Sequence, residues 1–86
     1  EKAGDGDRTI DSPIIGVFYA SPAPEKPPFV TPGDTVTVGQ TVCIVETMKV
    51  MNEIKSPVDG VIEAVLVENE SEVECGQALF SIKSQG

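Results

Sequence analysis

Apolar residues come along this chain in short runs rich in β-branched side chains, each bracketed by Gly, Pro or acidic residues. The runs are "GVFYA" at 16–20, "DTVTV" at 34–38, "TVCIVET" at 41–47, "GVIEAVLV" at 60–67 and "ALFSI" at 78–82. No stretch keeps apolar residues at 3.6-residue spacing over a dozen positions, so the pattern predicts an all-β domain of short strands. Residues 1–10, "EKAGDGDRTI", are polar and Gly-containing and read as the end of a flexible linker. The domain is then expected over residues 11–84.

Two of the runs are nearly the same phrase: "SPIIGVFYA" at 12–20 returns as "SPVDGVIEA" at 56–64, an offset of 44. A second pair follows in the same order, "VTVGQTVCIV" at 36–45 and "VECGQALFSI" at 73–82, an offset of 37. Repetition of this kind predicts a pseudo-two-fold domain built from two β-halves, each covering the other's apolar face. The offsets differ by seven, so the first half holds seven extra residues, and the match of Phe29-Val30 to Leu66-Val67 confines them to Ser21–Pro28. That segment, "SPAPEKPP", carries four prolines in eight residues. Each lacks an N–H and fixes φ, so the segment should project as a stiff loop rather than pair within a sheet. An ordinary surface loop would look the same at this level.

At the 37-residue offset, "VTPGDTV" falls on "VENESEV", setting Pro32-Gly33 against Asn69-Glu70. Pro-Gly suits a type II turn, whose third residue needs φ > 0. Symmetry therefore asks Glu70, or Asn69 if the turn slips by one, for a left-handed backbone.

The repeat also locates a conspicuous lysine. Only six of the 86 residues are Lys or Arg, yet Lys49 sits between Met48 and Val50 in "CIVETMKVMNEI". The first half ends near Val45 and the second begins near Ile54, which puts Met48 and Lys49 on a hairpin tip. No Gly or Asn helps that turn. A lone lysine on a turn is more often a solvated charge than a functional amine, and an exposed one has nothing to lower its pKa for nucleophilic work. The same exposure on a rigid turn suits an acylation site. Met51 with Ile54 is read as core, the commoner fate of Met, while Met48 at the tip is not.

Length and charge narrow the classes. At 86 residues and 9.1 kDa there is room for one domain, which buries roughly 60–65% of the surface of its unfolded chain. No apolar run approaches the roughly 18 residues needed to cross a bilayer as a helix, so a soluble protein without membrane contact is expected. Fourteen acidic residues against six basic ones give a formal charge of −8, which argues against nucleic acid and anionic surfaces. That charge serves solubility or presents a patch to a basic partner. With no His, no metal-ligand Cys spacing and no Gly-rich phosphate loop, neither a metal site nor catalytic residues are expected; the protein is read as one that carries something. Cys43 and Cys75 are read as reduced thiols.

"ETMKVMNEI" resembles the attachment motif of biotinyl domains, and "SPIIGVFYASPAPEKPPFV" resembles the opening of biotin carboxyl carrier domains of acetyl-CoA carboxylases, with their projecting thumb. The match runs from about Ser12 to Lys83. The resemblance implies a flattened barrel-sandwich of two four-stranded antiparallel sheets, with biotin in amide linkage to Lys49 and Met48 and Val50 as flanks read by a biotin protein ligase. It implies that Ser21, Pro22, Ala23, Pro24, Glu25, Lys26, Pro27 and Pro28 form the thumb near the biotin ring. It further implies a non-catalytic subunit that shuttles carboxylate between biotin carboxylase and carboxyltransferase for malonyl-CoA and fatty-acid synthesis, in a bacterial cytoplasm or a plastid stroma. Thr47 stands where that family usually has Ala, and Val50 where it has Met or Leu. "ETMKV" is also partly similar to the "ETDKA" of lipoyl domains, which have Asp at the position of Met48 and no thumb. A lipoyl carrier and a small β binding module without a prosthetic group are the alternative readings.

Overall fold

The computed structural model of the protein describes residues 7–84. Eight strands follow one another: β1 (Asp7–Asp11), β2 (Gly16–Tyr19), β3 (Thr35–Val36), β4 (Thr41–Thr47), β5 (Val50–Lys55), β6 (Gly60–Val65), β7 (Glu72–Val73) and β8 (Ala78–Ser84). They form two four-stranded sheets, ordered β1-β8-β6-β3 and β5-β4-β2-β7, antiparallel throughout. The described residues contain no helix. Each sheet turns one face to a shared core and the other outward.

The two sheet orders are the same list under the sequence repeat: β6 stands for β2, β7 for β3, β8 for β4 and β1 for β5. The equivalence reaches single hydrogen bonds. Ser12 N–H donates to Gln77 O and Ser56 N–H to Gln40 O, both at 2.9 Å. The buried Ser12 and Ser56 hydroxyls donate to Ile14 O and Val58 O, both at 2.6 Å, which satisfies the only buried polar side chains found among the described residues. Gly16 and Gly60 share a steric requirement: a Cβ on Gly16 would stand 2.3 Å from Glu46 O, and one on Gly60 2.6 Å from Lys83 O. The central strands can approach this closely only where no side chain intervenes.

The core draws on both halves: Phe18, Val36, Val42, Cys43 and Val45 from the first meet Ile62, Val73, Leu79, Phe80 and Ile82 from the second. Phe18 and Phe80 meet across it with ring centroids 5.9 Å apart, tilted by 59°. Burying each such aromatic or aliphatic side chain contributes about 1.5–3 kcal/mol, so neither half could be stable alone with this face open.

The predicted linker differs from what is observed. Residues 1–6 lie outside the described residues, but Arg8, Thr9 and Ile10 belong to β1, paired with β8 through Arg8↔Ile82, Thr9↔Ser81 and Ile10↔Phe80. Ile10 is 1% exposed. The segment looked like linker because an edge strand carries one inward apolar residue between polar ones, too little alternation to register. The repeat in fact extends into it, since Ile10 precedes "DSP" as Ile54 precedes "KSP".

Candidate functional site

Strand β4 is the rigid base of the site: Val42 to Val45 are buried, and it is hydrogen-bonded to β5 on one side and β2 on the other. The β4–β5 ladder runs up to the pair Thr47↔Val50, which leaves Met48 and Lys49 alone to reverse the chain. Both have left-handed backbones, φ 52° and 67°. Two consecutive positive φ values are the signature of a type I′ turn, whose twist matches that of the strands it joins. Neither residue is Gly, Asn or Asp, so the conformation costs on the order of 1 kcal/mol at each, offset by the ladder below. Met48 is 91% exposed, Val50 more than half exposed, and Lys49 exposed between them. The structure thus presents one primary amine at the end of a hairpin, with its flanks held in set directions.

The eight residues from Ser21 to Pro28 leave the sheet directly after β2. Phe29 N–H donates to Ala20 O at 2.9 Å and closes the loop's base; within it, Lys26 N–H donates to Ala23 O at 3.0 Å and the Ser21 hydroxyl to the same carbonyl at 2.8 Å. Between this loop and the outer face of the β5-β4-β2-β7 sheet lies a cleft of about 230 Å³. Ser21, Pro22, Ala23 and Pro24 form its loop side; Tyr19, Glu46, Met51, Asn69 and Glu70 form the rest. Glu25, Lys26, Pro27 and Pro28 do not line it and are exposed. Nor does Lys49, which stays on the tip.

None of these five was read in the sequence as lining a site: Asn69 and Glu70 were expected only as turn residues, Met51 only as core, and Tyr19 and Glu46 were not singled out. Met51, read there as core with Ile54, is about half exposed, while Ile54 is 6% exposed. The two are three positions apart on one strand, and an odd separation puts them on opposite faces. The pairs Glu46↔Met51, Val17↔Glu46 and Val17↔Glu72 set Met51, Glu46, Val17 and Glu72 in one outward row. Applying the two-residue period to "TMKVMNEI" would have found Met51. The neighbouring Glu46 carboxylate, and after it desolvation, raises the pKa of the Tyr19 hydroxyl above its ordinary value. Glu70 has φ 66° and its counterpart Gly33 φ 98°, as the repeat required.

A family model described as "Biotin-requiring enzyme" matches residues 8–82. The chain belongs to that family. It is 55% identical over 74 residues to the biotin carboxyl carrier protein of acetyl-CoA carboxylase of Streptococcus pyogenes, a match covering 86% of this chain and 45% of that one. It is 51% identical over 76 residues to the protein of the same name from Porphyra purpurea, covering 88% and 48%. The chain thus spans about half the length of these relatives. Among solved structures, a single-chain, multi-domain long-chain acyl-CoA carboxylase superposes with a TM-score of 0.77 over 94% of this chain and 7% of that one. At 17% identity this supports the fold alone, a barrel-sandwich of two four-stranded sheets.

Proposed function

We propose that the chain is the biotin-bearing carrier domain of an acetyl-CoA carboxylase, with biotin joined as an amide to Lys49 Nζ. The observation that carries this reading is the two-residue tip: an exposed amine at the end of a buried strand pair, fixed by left-handed backbone at both Met48 and Lys49. A modifying enzyme needs its target side chain both reachable and fixed in direction, and few surface lysines combine the two. The relatives named biotin carboxyl carrier proteins support the same reading.

Bound biotin supplies a group that accepts and surrenders carboxylate. What this chain adds is reach and confinement. The lysine stem on a stiff hairpin lets one tethered group visit two sites at an effective concentration set by tether and linker length. The cleft beneath the thumb, with apolar walls from Pro22, Pro24 and Met51 and polar groups on Tyr19, Glu46 and Asn69, is a sheltered resting place within the same domain. No base or metal is required of the carrier, because loading and unloading fall to partners: biotin carboxylase and carboxyltransferase, with a biotin protein ligase acting first. The setting is a bacterial cytoplasm or a plastid stroma.

Lipoyl carriage is the competing reading. It is disfavoured by Met48 where lipoyl domains have Asp, and by the thumb. Incubating the purified protein with a biotin protein ligase, ATP and biotin, and in parallel with a lipoate ligase and lipoate, distinguishes the readings by intact mass. Gain of one biotinyl group in the first reaction alone is expected. Gain only in the second would make this a lipoyl carrier, and gain in neither a β module without a prosthetic group.

A further inference from the structure

We propose that Asn69 is a positioning residue that latches the thumb, its Oδ1 holding the Ala20 N–H at 2.8 Å across 49 positions of sequence. The need for such a latch follows from the way the thumb breaks the two-fold. In the second half β6 runs on past the equivalent point, with Ala64 and Val65 paired to Ser81 and Phe80. In the first half the β2–β4 pairing stops at Tyr19 opposite Ile44, because the chain leaves the sheet at Ala20. The Ala20 N–H points to the same edge of β2 as the backbone of Phe18, which bonds Ser71 and Glu70, and there, past the end of the β2–β7 pairing, a side chain from the other half supplies the acceptor.

The residue that the repeat sets against Asn69 is Pro32, whose side chain can accept nothing. Pro32 belongs to the turn beside β6, where Gly33 N–H donates to Ile62 O at 2.8 Å and no loop has been inserted. The acceptor is therefore present beside the half that has a thumb and absent beside the half that lacks one.

Asn69 is itself held. Glu70 N–H donates to Phe18 O at 2.6 Å and Phe18 N–H to Ser71 O at 2.8 Å, which ties its turn to β2 two residues before Ala20. With Phe29 N–H on Ala20 O, both backbone polar groups of Ala20 are engaged, one by each end of the arrangement. Asn69 and the thumb residues Ser21 to Pro24 wall the same cleft, so the bond that fixes the loop's exit also fixes the cleft's width. The value of that width to an attached group rests on the carrier reading above; the latch does not, and its test needs no biotin.

The test is amide hydrogen exchange on the unbiotinylated protein, comparing wild type with Asn69→Ala and Asn69→Asp in salt sufficient to screen the added charge. Asn69→Ala is expected to speed exchange at Ala20 by about two- to tenfold, the effect of one lost hydrogen bond, and to leave Phe18 and Glu70 unchanged. Asn69→Asp keeps an acceptor oxygen and should restore protection at Ala20. Unchanged exchange at Ala20 in Asn69→Ala, or failure of Asp to restore protection, overturns the proposal. So does equal loosening of Phe18 and Glu70, which would make Asn69 a turn residue only. A protein that takes no biotin would leave each of these outcomes readable.

Discussion

Replacing Glu70 with Gly should stabilise the domain, although Gly normally weakens a folded chain. Glu70 holds φ at 66°, in the position where the first half uses Gly33 at 98°. A side chain in the left-handed region costs about 1–2 kcal/mol, and removing the Cβ relieves it. Against this, Gly adds freedom to the unfolded chain worth about 0.4–1 kcal/mol. Relief exceeds penalty by roughly 0.5–1 kcal/mol, and lowering the net charge from −8 toward −7 adds weakly in the same direction. For a domain of this size that is a rise in Tm of about 2–8 °C.

The Glu70 N–H bond to Phe18 O is a backbone contact that Gly retains, so nothing else should be lost. Urea denaturation with an unchanged slope measures the effect as a shift of midpoint. Gly33→Ala is the reciprocal control. No atom outside its chain neighbours would lie within 4 Å of the new Cβ, so its cost is backbone strain alone and its midpoint should fall. A lower midpoint for Glu70→Gly would refute the reasoning, since strain at residue 70 would then be smaller than the entropy it was set against.

Three further outcomes are expected. Deleting Ser21 to Pro27 should leave a cooperatively folding domain, because the second half already joins β6 to β7 without those seven residues, while carboxyl transfer falls; a deletant with no unfolding transition would make the loop structural. Cys43 is buried, and desolvation pushes its thiol from 9.0 up to about 12. The unfolded state then loses its proton first, so stability should be level below about pH 8.5 and decline above it toward pH 12, by up to about 1.4 kcal/mol per pH unit. Urea midpoints across that range should fall less in Cys43→Ala than in wild type once each is referred to its own value at pH 7. A thiol reagent at pH 8 should label exposed Cys75 and spare Cys43.

The repeat made most of this architecture readable before any coordinates. Two halves that match phrase by phrase had to fold alike, so the hairpin tip, the site of the insertion and the left-handed residue 70 could be found by laying one half on the other. What escaped was what the symmetry does not contain. Strand β1 was hidden by its polar edge, with Ile10 buried between exposed Thr9 and Asp11. The cleft is formed by the insertion meeting the outer sheet face, so nothing in the repeat marked Tyr19, Glu46 or Met51 as its lining, and Asn69 and Glu70 were marked only as a turn. Asn69 bonds a residue 49 positions away, a contact that spacing in sequence cannot express.

One amine, on the tip of β4–β5, is the proposed attachment point. Five lysines are present, including Lys26 on the thumb and Lys55 at the end of β5. The most direct measurement is peptide-level mass spectrometry of the protein co-expressed with a biotin protein ligase, beside Lys49→Arg, which keeps the positive charge but removes the acylable primary amine. One biotinyl group is predicted, on the peptide containing Met48-Lys49-Val50, with none on Lys49→Arg although its fold is unchanged. Biotin on Lys26 or Lys55 of the wild type, or on folded Lys49→Arg, would contradict the account.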